Sequence, residues 1–208
     1  MSNKLDNFKE KFKQALISTA KVISDDYKID QKTNNKNFSS KNLNFFELDN
    51  LDNKNDFIRL RAEADSSALK RKFSNLKIYQ KNLPNNKNYR NLYDIAEKIR
   101  FELLGGKMLK GISKNLSENY YQKISLKRKD QLKSRDDVSA AEAFELYMLK
   151  NFFDIKLNNL SEKILSFWEK EFDASLSNHK NFLNQNLEDQ EKYSSKFSEI
   201  LEKMNIFD

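Results

Sequence analysis

Residues 88–106 decide the fold, and they read NYRNLYDIAEKIRFELLGG. The apolar residues of this stretch recur every three or four positions, so an α-helix would place them on one face: Leu92, Ala96, Ile99 and Leu103. Tyr89, Tyr93 and Ile95 widen that face. Glycine commonly ends a helix because it adopts a left-handed conformation without strain. We therefore predict a helix that ends at Gly105-Gly106. Because the same period continues from Met108, the two glycines mark either a kink or a tight corner between two helices.

The same periodicity predicts helices on both sides of this stretch. Amphipathic segments cover residues 4–24, 57–80, 108–120 and 134–152, and two more are centred on residues 157–168 and 187–204. Ser134 and Asp137 have the spacing of a capping box at the start of one of them. Residues 28–56 are rich in Asn, Lys and Asp, which predicts one long surface loop. We expect this loop to contact the rest of the domain at one place, through apolar residues at 43–48. We expect an all-α fold, an irregular bundle of about six or seven helices, in one domain over residues 1–208.

The composition excludes several classes of site. The 208 residues include no cysteine, so disulfides, zinc fingers, iron–sulfur clusters and thiol nucleophiles are excluded, and one histidine argues against a histidine relay. Three glycines and one proline are too few for the many tight turns of a β-sandwich or barrel. No apolar run approaches the roughly 18 residues that a membrane-spanning helix needs. Residues 1–13 are polar and charged, so they lack the apolar core of a secretory signal. We expect a cytoplasmic protein without a membrane span.

The net charge is basic and unevenly distributed. Lys and Arg number 38 and Asp and Glu 31, which gives +7 and a pI of about 9.3. Residues 1–100 carry +8 and residues 101–208 carry −1. In the first half the basic residues alternate with Asn and carboxylates, which is typical of solvated helix faces. The alternative is a basic helical nucleic-acid-binding or general protein-interaction module, motivated also by the dense basic run from Lys123 to Arg135.

Familiar catalytic patterns lack essential residues. Gly105-Gly106-Lys107 has Phe101 where a phosphate-binding loop needs its first glycine, and Met108 where it needs Ser or Thr. Glu97 and Arg100 are three residues apart on one helix, a spacing that favours an ion pair beside the apolar face. We assign no catalytic, cofactor-binding or metal-binding residue to this chain.

Four stretches, taken in order, resemble the N-terminal region of the T subunit of the aerobic, ATP-dependent cobaltochelatase of cobalamin biosynthesis. They are residues 8–16, residues 60–69, residues 93–116 with the pattern Tyr93-Asp94-Ile95-Ala96-Glu97-Lys98-Ile99-Arg100-Phe101-Glu102, and Trp168 with residues 187–190. The residues that match the family's motifs, expected to be structural or to form an interface, are Arg61, Asp65, Asp94, Glu97, Arg100, Glu102, Gly105, Gly111 and Asn115. Ala62 departs from the pattern, because the family has glycine there.

The resemblance also implies a function. It implies a noncatalytic scaffold of a complex that inserts Co²⁺ into hydrogenobyrinic acid a,c-diamide, with the AAA+ S subunit, the large N subunit and other copies of this chain as partners. ATP with Mg²⁺, and Co²⁺, are expected on the other subunits, and neither nucleic acid nor membrane is expected as a partner. The family's C-terminal von Willebrand A domain is absent from these 208 residues, so we expect a short or split subunit, or a fragment of one.

Overall fold

The computed structural model describes residues 2–27, 53–126, 132 and 134–207, and the described residues form α-helices and no strand. The helices are α1 (Ser2–Ser24), α2 (Lys54–Phe73), α3 (Leu76–Lys81), α4 (Lys87–Met108), α5 (Lys110–Ser125), α6 (Ala140–Phe152), α7 (Asn159–Ser166), α8 (Glu169–Leu176), α9 (Lys180–Gln185) and α10 (Gln190–Glu202). Short 3₁₀ turns cover Arg135–Asp137 and Ser177–His179. The predicted all-α class is confirmed.

Helix α4 lies at the centre of the bundle. It is about 33 Å long and packs against α2, α5, α6 and α10. The predicted apolar face is buried, with Leu92 and Ala96 fully inaccessible to solvent. Tyr93 and Phe101 are buried as well, and a helix that is buried on several faces belongs to the interior of a protein.

The predicted end of this helix at the two glycines is wrong. Helix α4 continues through Gly105 and Gly106 to Met108, and Leu109 ends it in an extended conformation with φ −141° and ψ 121°. None of the three glycines has a positive φ. Gly105 is required by packing instead, because a Cβ atom there would lie 2.4 Å from both terminal methyl carbons of Leu69 on α2.

Helices α1 and α2 pack side by side at the N-terminal end of the bundle. Residues spaced along one face of α1 are buried in this contact: Leu16, Ile17, Ala20 and Ile23. Helix α2 begins at Lys54, where Asn53 and Asp56 form a capping box, so the helix starts inside the range predicted as a loop. The predicted docking of residues 43–48 lies outside the described residues.

The segment predicted as one helix from residue 57 to the region of Gln80 is divided. Helix α2 ends at Phe73, Ser74 and Asn75 are extended, and Asn75 caps the new helix α3 by accepting from the Lys77 N–H at 2.9 Å. Asparagine side chains compete with the helix backbone for hydrogen bonds in this way.

The C-terminal third has more, shorter helices than predicted. The capping box of Ser134 and Asp137 is present, with the Ser134 N–H donating to the Asp137 carboxylate at 2.9 Å, and it begins a 3₁₀ turn that precedes α6. Trp168 separates α7 from α8, and its buried indole N–H donates to the Val138 carbonyl at 3.2 Å. Helices α8 and α9 have an apolar period of their own, because Phe172, Leu176 and Leu183 are spaced four and seven residues apart and are fully buried. Lys180, the first residue of α9, also donates to the Asn151 side chain of α6 at 2.8 Å.

Candidate functional site

Helix α4 places three ionisable side chains in the protein interior. Glu97, Arg100 and Glu102 have exposed fractions of 3%, 0% and 1%. A buried charge without a partner is strongly destabilising, so the partners of these groups decide what they can do.

Arg100 and Glu97 form a buried ion pair, as their spacing predicts. The Arg100 Nε atom lies 3.4 Å from a Glu97 carboxylate oxygen. The Arg100 guanidinium also donates to the Phe73 carbonyl at 2.6 Å and to the Leu187 carbonyl at 3.0 Å. These carbonyls belong to the end of α2 and to the segment before α10, so one side chain fastens both elements to α4.

Glu97 is held from α10. It accepts hydrogen bonds from the Ser194 hydroxyl at 2.6 Å and from the Gln190 side-chain amide at 3.0 Å. The side-chain oxygen (Oε1) of Gln190 accepts a hydrogen bond from the backbone N–H of Asn75 at 2.6 Å. We call this set of residues, Phe73, Asn75, Glu97, Arg100, Leu187, Gln190 and Ser194, the Arg100 cluster.

Glu102 is the centre of a second set, which we call the Glu102 cluster. Its carboxylate accepts hydrogen bonds from the Tyr120 hydroxyl on α5 and from the Ser66 hydroxyl on α2, the latter at 2.5 Å. Burial raises the pKa of Glu102 above its usual range, while the charge of Lys98 and both hydrogen bonds act in the opposite direction. The Lys98 ammonium lies 5.2 Å from the centre of the Tyr120 ring.

Asp65 joins α2 to α5. It is buried, and it accepts a hydrogen bond from the Asn115 side-chain amide at 2.7 Å. Burial raises the pKa of Asp65, and the Asn115 hydrogen bond and the charge of Arg61 lower it in part. Asp65 therefore has the same type of environment as Glu102.

The nine residues expected to be structural or interfacial divide into two groups. Asp65, Glu97, Arg100, Glu102, Gly105 and Asn115 lie in the core or against it, where they contact other helices. Three are exposed: Arg61, Asp94 and Gly111. Asp94 accepts a hydrogen bond from the Tyr79 hydroxyl, and Gly111 has no neighbour within 4 Å of a Cβ built on it.

Two of the grooves on the described surface border the elements that these clusters join. The α2–α10 groove has a volume of about 790 Å³ and is lined by the turn after α2 and the start of α10, from Lys72 to Asn75 and from Glu188 to Glu191. The α2–α5 groove, of about 210 Å³, is lined by Lys54, Phe57, Ile58, Arg61, Asn115 and Glu118. Glu97 and Glu102 line neither groove, so both carboxylates are committed to the core.

Metal ligation and membrane insertion have no structural signature in the part of the chain that the structure describes. No three His, Asp or Glu side chains lie close enough there to hold a metal ion together. None of the helices there combines the length and the apolar character that crossing a bilayer requires.

Sequence reasoning found the Glu97–Arg100 pair but missed its other partners. Ser194 and Gln190 come more than 90 residues later in the chain, and Ser66 precedes Glu102 by 36. The only sequence signal for them is local: Gln190 lies in the stretch at 187–190 that carries part of the family resemblance.

The fold and the two clusters define an all-α protein in which the buried Glu97–Arg100 ion pair and buried hydrogen bonds hold α2, α4, α5 and α10 together. The family model for cobalamin biosynthesis protein CobT matches residues 6–208 of this chain. The chain therefore belongs to the CobT family, as its resemblance predicted, and it is involved in cobalamin biosynthesis. No solved structure matches the chain at a significant level.

Proposed function

We propose that this chain is a noncatalytic assembly component of the aerobic, ATP-dependent cobaltochelatase. In this proposal it docks on the AAA+ S subunit, and together with the large N subunit the complex inserts Co²⁺ into hydrogenobyrinic acid a,c-diamide. ATP with Mg²⁺ binds to the S subunit, and Co²⁺ is the substrate of the N subunit. Membership of the CobT family supports this role.

The observation that carries the proposal is the engagement of Glu97, Arg100 and Glu102 inside the bundle. A general acid or base must reach the reacting atom within hydrogen-bond distance. Both carboxylates are at most 3% exposed and bonded to donors on other helices. Their chemistry is used to fix helices relative to one another, and closely packed interiors transmit strain. A rigid helical body of this kind suits a component that conveys ATP-driven motion.

Reconstitution tests the proposal in two measurements. The chain is first co-purified with the S subunit in the presence of ATP, and we expect a complex that survives gel filtration. Cobalt insertion by the full assembly is then followed with wild-type chain and with Glu102→Gln, which keeps the shape of the side chain and one of its acceptors.

We expect insertion rates within about threefold of each other, because loss of a catalytic acid–base group costs about 10²–10⁴-fold. A loss of that size, in an assembly that forms normally, would show that Glu102 is catalytic. Failure of the wild-type chain to bind the S subunit would refute the assembly role.

A further inference from the structure

The basic charge of the protein is concentrated in the helical pair α1 and α2. The two helices carry 11 basic and 5 acidic residues, a net charge of +6 out of the total of +7. The acidic residues of α2 are all engaged: Asp56 in the helix cap, Glu63 with Arg59 at 3.3 Å and Asp65 with Asn115. Helix α2 has six basic and three acidic residues, so its own carboxylates leave a net charge of 6 − 3 = +3.

Two exposed cations on α2 form no ion pair in the described structure. Lys54 and Arg61 make no hydrogen bond or ion pair with any residue that the structure describes. Arg61 acts on the buried Asp65 only through its charge. Both line the α2–α5 groove, which therefore contains two cations that form no hydrogen bond or ion pair within the described residues.

The groove has an apolar floor between these cations. Lys54, Phe57, Ile58 and Arg61 are spaced i, i+3, i+4 and i+7, so they form one stripe along α2. The rise of an α-helix separates the two cations by about 10 Å along the axis. Glu118 on α5 lies at the edge and is 3.8 Å from Lys114.

An exposed aromatic contact extends the apolar floor toward α1. The Phe57 ring lies 4.9 Å from that of Phe12 and 5.6 Å from that of Phe8. Phe8 is 54% exposed. The same partly exposed aromatic cluster thus borders the groove at the side where α1 meets α2.

The size of the groove favours side chains of a protein partner. Its volume of about 210 Å³ is below the 300–1,000 Å³ that is usual for small-molecule sites. A partner helix with carboxylates at i and i+7, and apolar residues at i+3 and i+4, would mirror the stripe on α2 in both charge and spacing.

We infer that the α2–α5 groove binds an acidic amphipathic helix of a partner protein. Nucleic acid is disfavoured, because a strand of phosphates needs a run of cations, and this groove offers two, separated by apolar side chains and bordered by the carboxylate of Glu118. The inference rests on the proposed function only for the identity of the partner, which in that proposal is the S subunit.

A synthetic peptide pair tests the groove directly. The probe is a labelled peptide of about 16 residues, long enough to form a helix in water, with Glu at i and i+7 and Leu at i+3 and i+4. Its twin carries Gln in place of both Glu residues. We expect the wild-type chain to bind the Glu peptide about tenfold more tightly, as two ion pairs at a partly buried site would give.

Charge reversals then locate the binding. Lys54→Glu and Arg61→Glu should each reduce the tenfold preference to about twofold or less. Lys70→Glu is the matched control, because Lys70 is exposed on the same helix but nine residues from Arg61, on the opposite face. Lys54→Glu is expected to keep the fold, because a carboxylate in the first turn of a helix is favourable. Circular dichroism verifies the fold of each variant.

Three outcomes would overturn the inference. The first is equal affinity for both peptides, and the second is an equal loss of the preference for the Glu peptide in Lys70→Glu. The third is a DNA duplex that binds more tightly than the Glu peptide and whose binding is abolished by Lys54→Glu. The S subunit is titrated in parallel. If the S subunit does not bind but the Glu peptide still binds more tightly than its Gln twin, the proposed function is refuted and the inference about the groove is retained. If the S subunit binds all variants equally and the two peptides bind with the same affinity, the inference about the groove is refuted and the proposed function is retained.

Discussion

Arg100 shows how one residue can hold several elements in place. Its guanidinium is completely buried and contacts the carboxylate of Glu97 and two backbone carbonyls from distant parts of the chain. Arginine suits this position because its planar group donates in several fixed directions. The cost of burying the charge is offset only while every one of these partners is present.

We expect Arg100→Met to destabilise the protein by about 3–5 kcal/mol, because it leaves the Glu97 carboxylate buried without its counter-charge. Urea denaturation of the wild type and the variant measures the change. The double variant Arg100→Met with Glu97→Met should recover much of the loss, since neither charge of this pair is then left buried without its partner. Equal or greater destabilisation of the double variant would contradict the ion-pair account.

Glu102 predicts a pH dependence of stability. Burial raises the pKa of its folded-state carboxyl above the ordinary value of 4.5, so the folded protein binds more protons than the unfolded chain in the interval between the two pKa values. The stability contributed by Glu102 is therefore present at low pH and is lost as the pH rises from about 4.5 through the raised pKa.

The Glu102→Gln variant removes this titration. We expect its free energy of unfolding, relative to that of the wild type, to increase between pH 5 and pH 8, as measured by urea denaturation at each pH. Glu188→Gln, which changes an exposed carboxylate, should show a smaller increase. A difference between Glu102→Gln and wild type that is constant with pH would mean that Glu102 stays ionised in the folded protein.

At the scale of the element, the packing of α2 on α4 depends on Gly105. Leu69 is fully buried and its methyl groups occupy the space where a side chain at position 105 would begin. Because Leu69 cannot swing into solvent, a Cβ there must push the two helices apart or strain the leucine.

We expect Gly105→Ala to destabilise the protein by about 1–3 kcal/mol in thermal or urea denaturation. Gly111→Ala is the matched control, because position 111 is in the first turn of α5 with open space around it, and alanine there should be neutral or stabilising by up to about 1 kcal/mol. Similar effects at both positions would show that Gly105 is not a packing contact.

Gly105 also shows what could and could not be predicted at this scale. The existence of α1, α4 and α5 follows from spacings of three and four residues, which are local and can be read from the sequence. The role of a glycine cannot be read from the local sequence, because glycine is favoured both where a helix ends and where two helices pack closely. Only the position of Leu69, 36 residues earlier, decides between them.

The candidate site has the same division between local and distant information. The Glu97–Arg100 pair was predictable because its members are three residues apart on one helix. The contacts to Ser194 and Leu187 depend on how α10 returns to α4, and no periodicity specifies that return. The short helices α8 and α9 were missed although Phe172, Leu176 and Leu183 repeat at helical spacing and are fully buried, because one apolar residue per turn is a weak signal in a polar stretch.

At the scale of the whole molecule, the helices differ in how strongly they are held. Helix α4 contacts four other long helices and contains the members of two buried polar clusters. Helix α1 packs chiefly on α2. Val22 is 62% exposed, and even Phe8, which contacts Phe57 of α2, is 54% exposed. Local openings of a protein involve the elements with the fewest buried contacts.

We therefore expect native-state hydrogen exchange to separate the two helices. Amides in the middle of α4 should exchange only through global unfolding, with a free energy equal to that from urea denaturation, whereas amides of α1 should exchange at a lower free energy. Helix α10, which packs against α3, α4, α8 and α9, is the control and should behave like α4. Binding of an acidic helix in the α2–α5 groove should protect α2 and the adjoining part of α1 and leave α10 unchanged. Exchange of α1 at the global free energy, without any partner, would mean that the whole bundle unfolds as one unit and that the N-terminal pair has no independent motion.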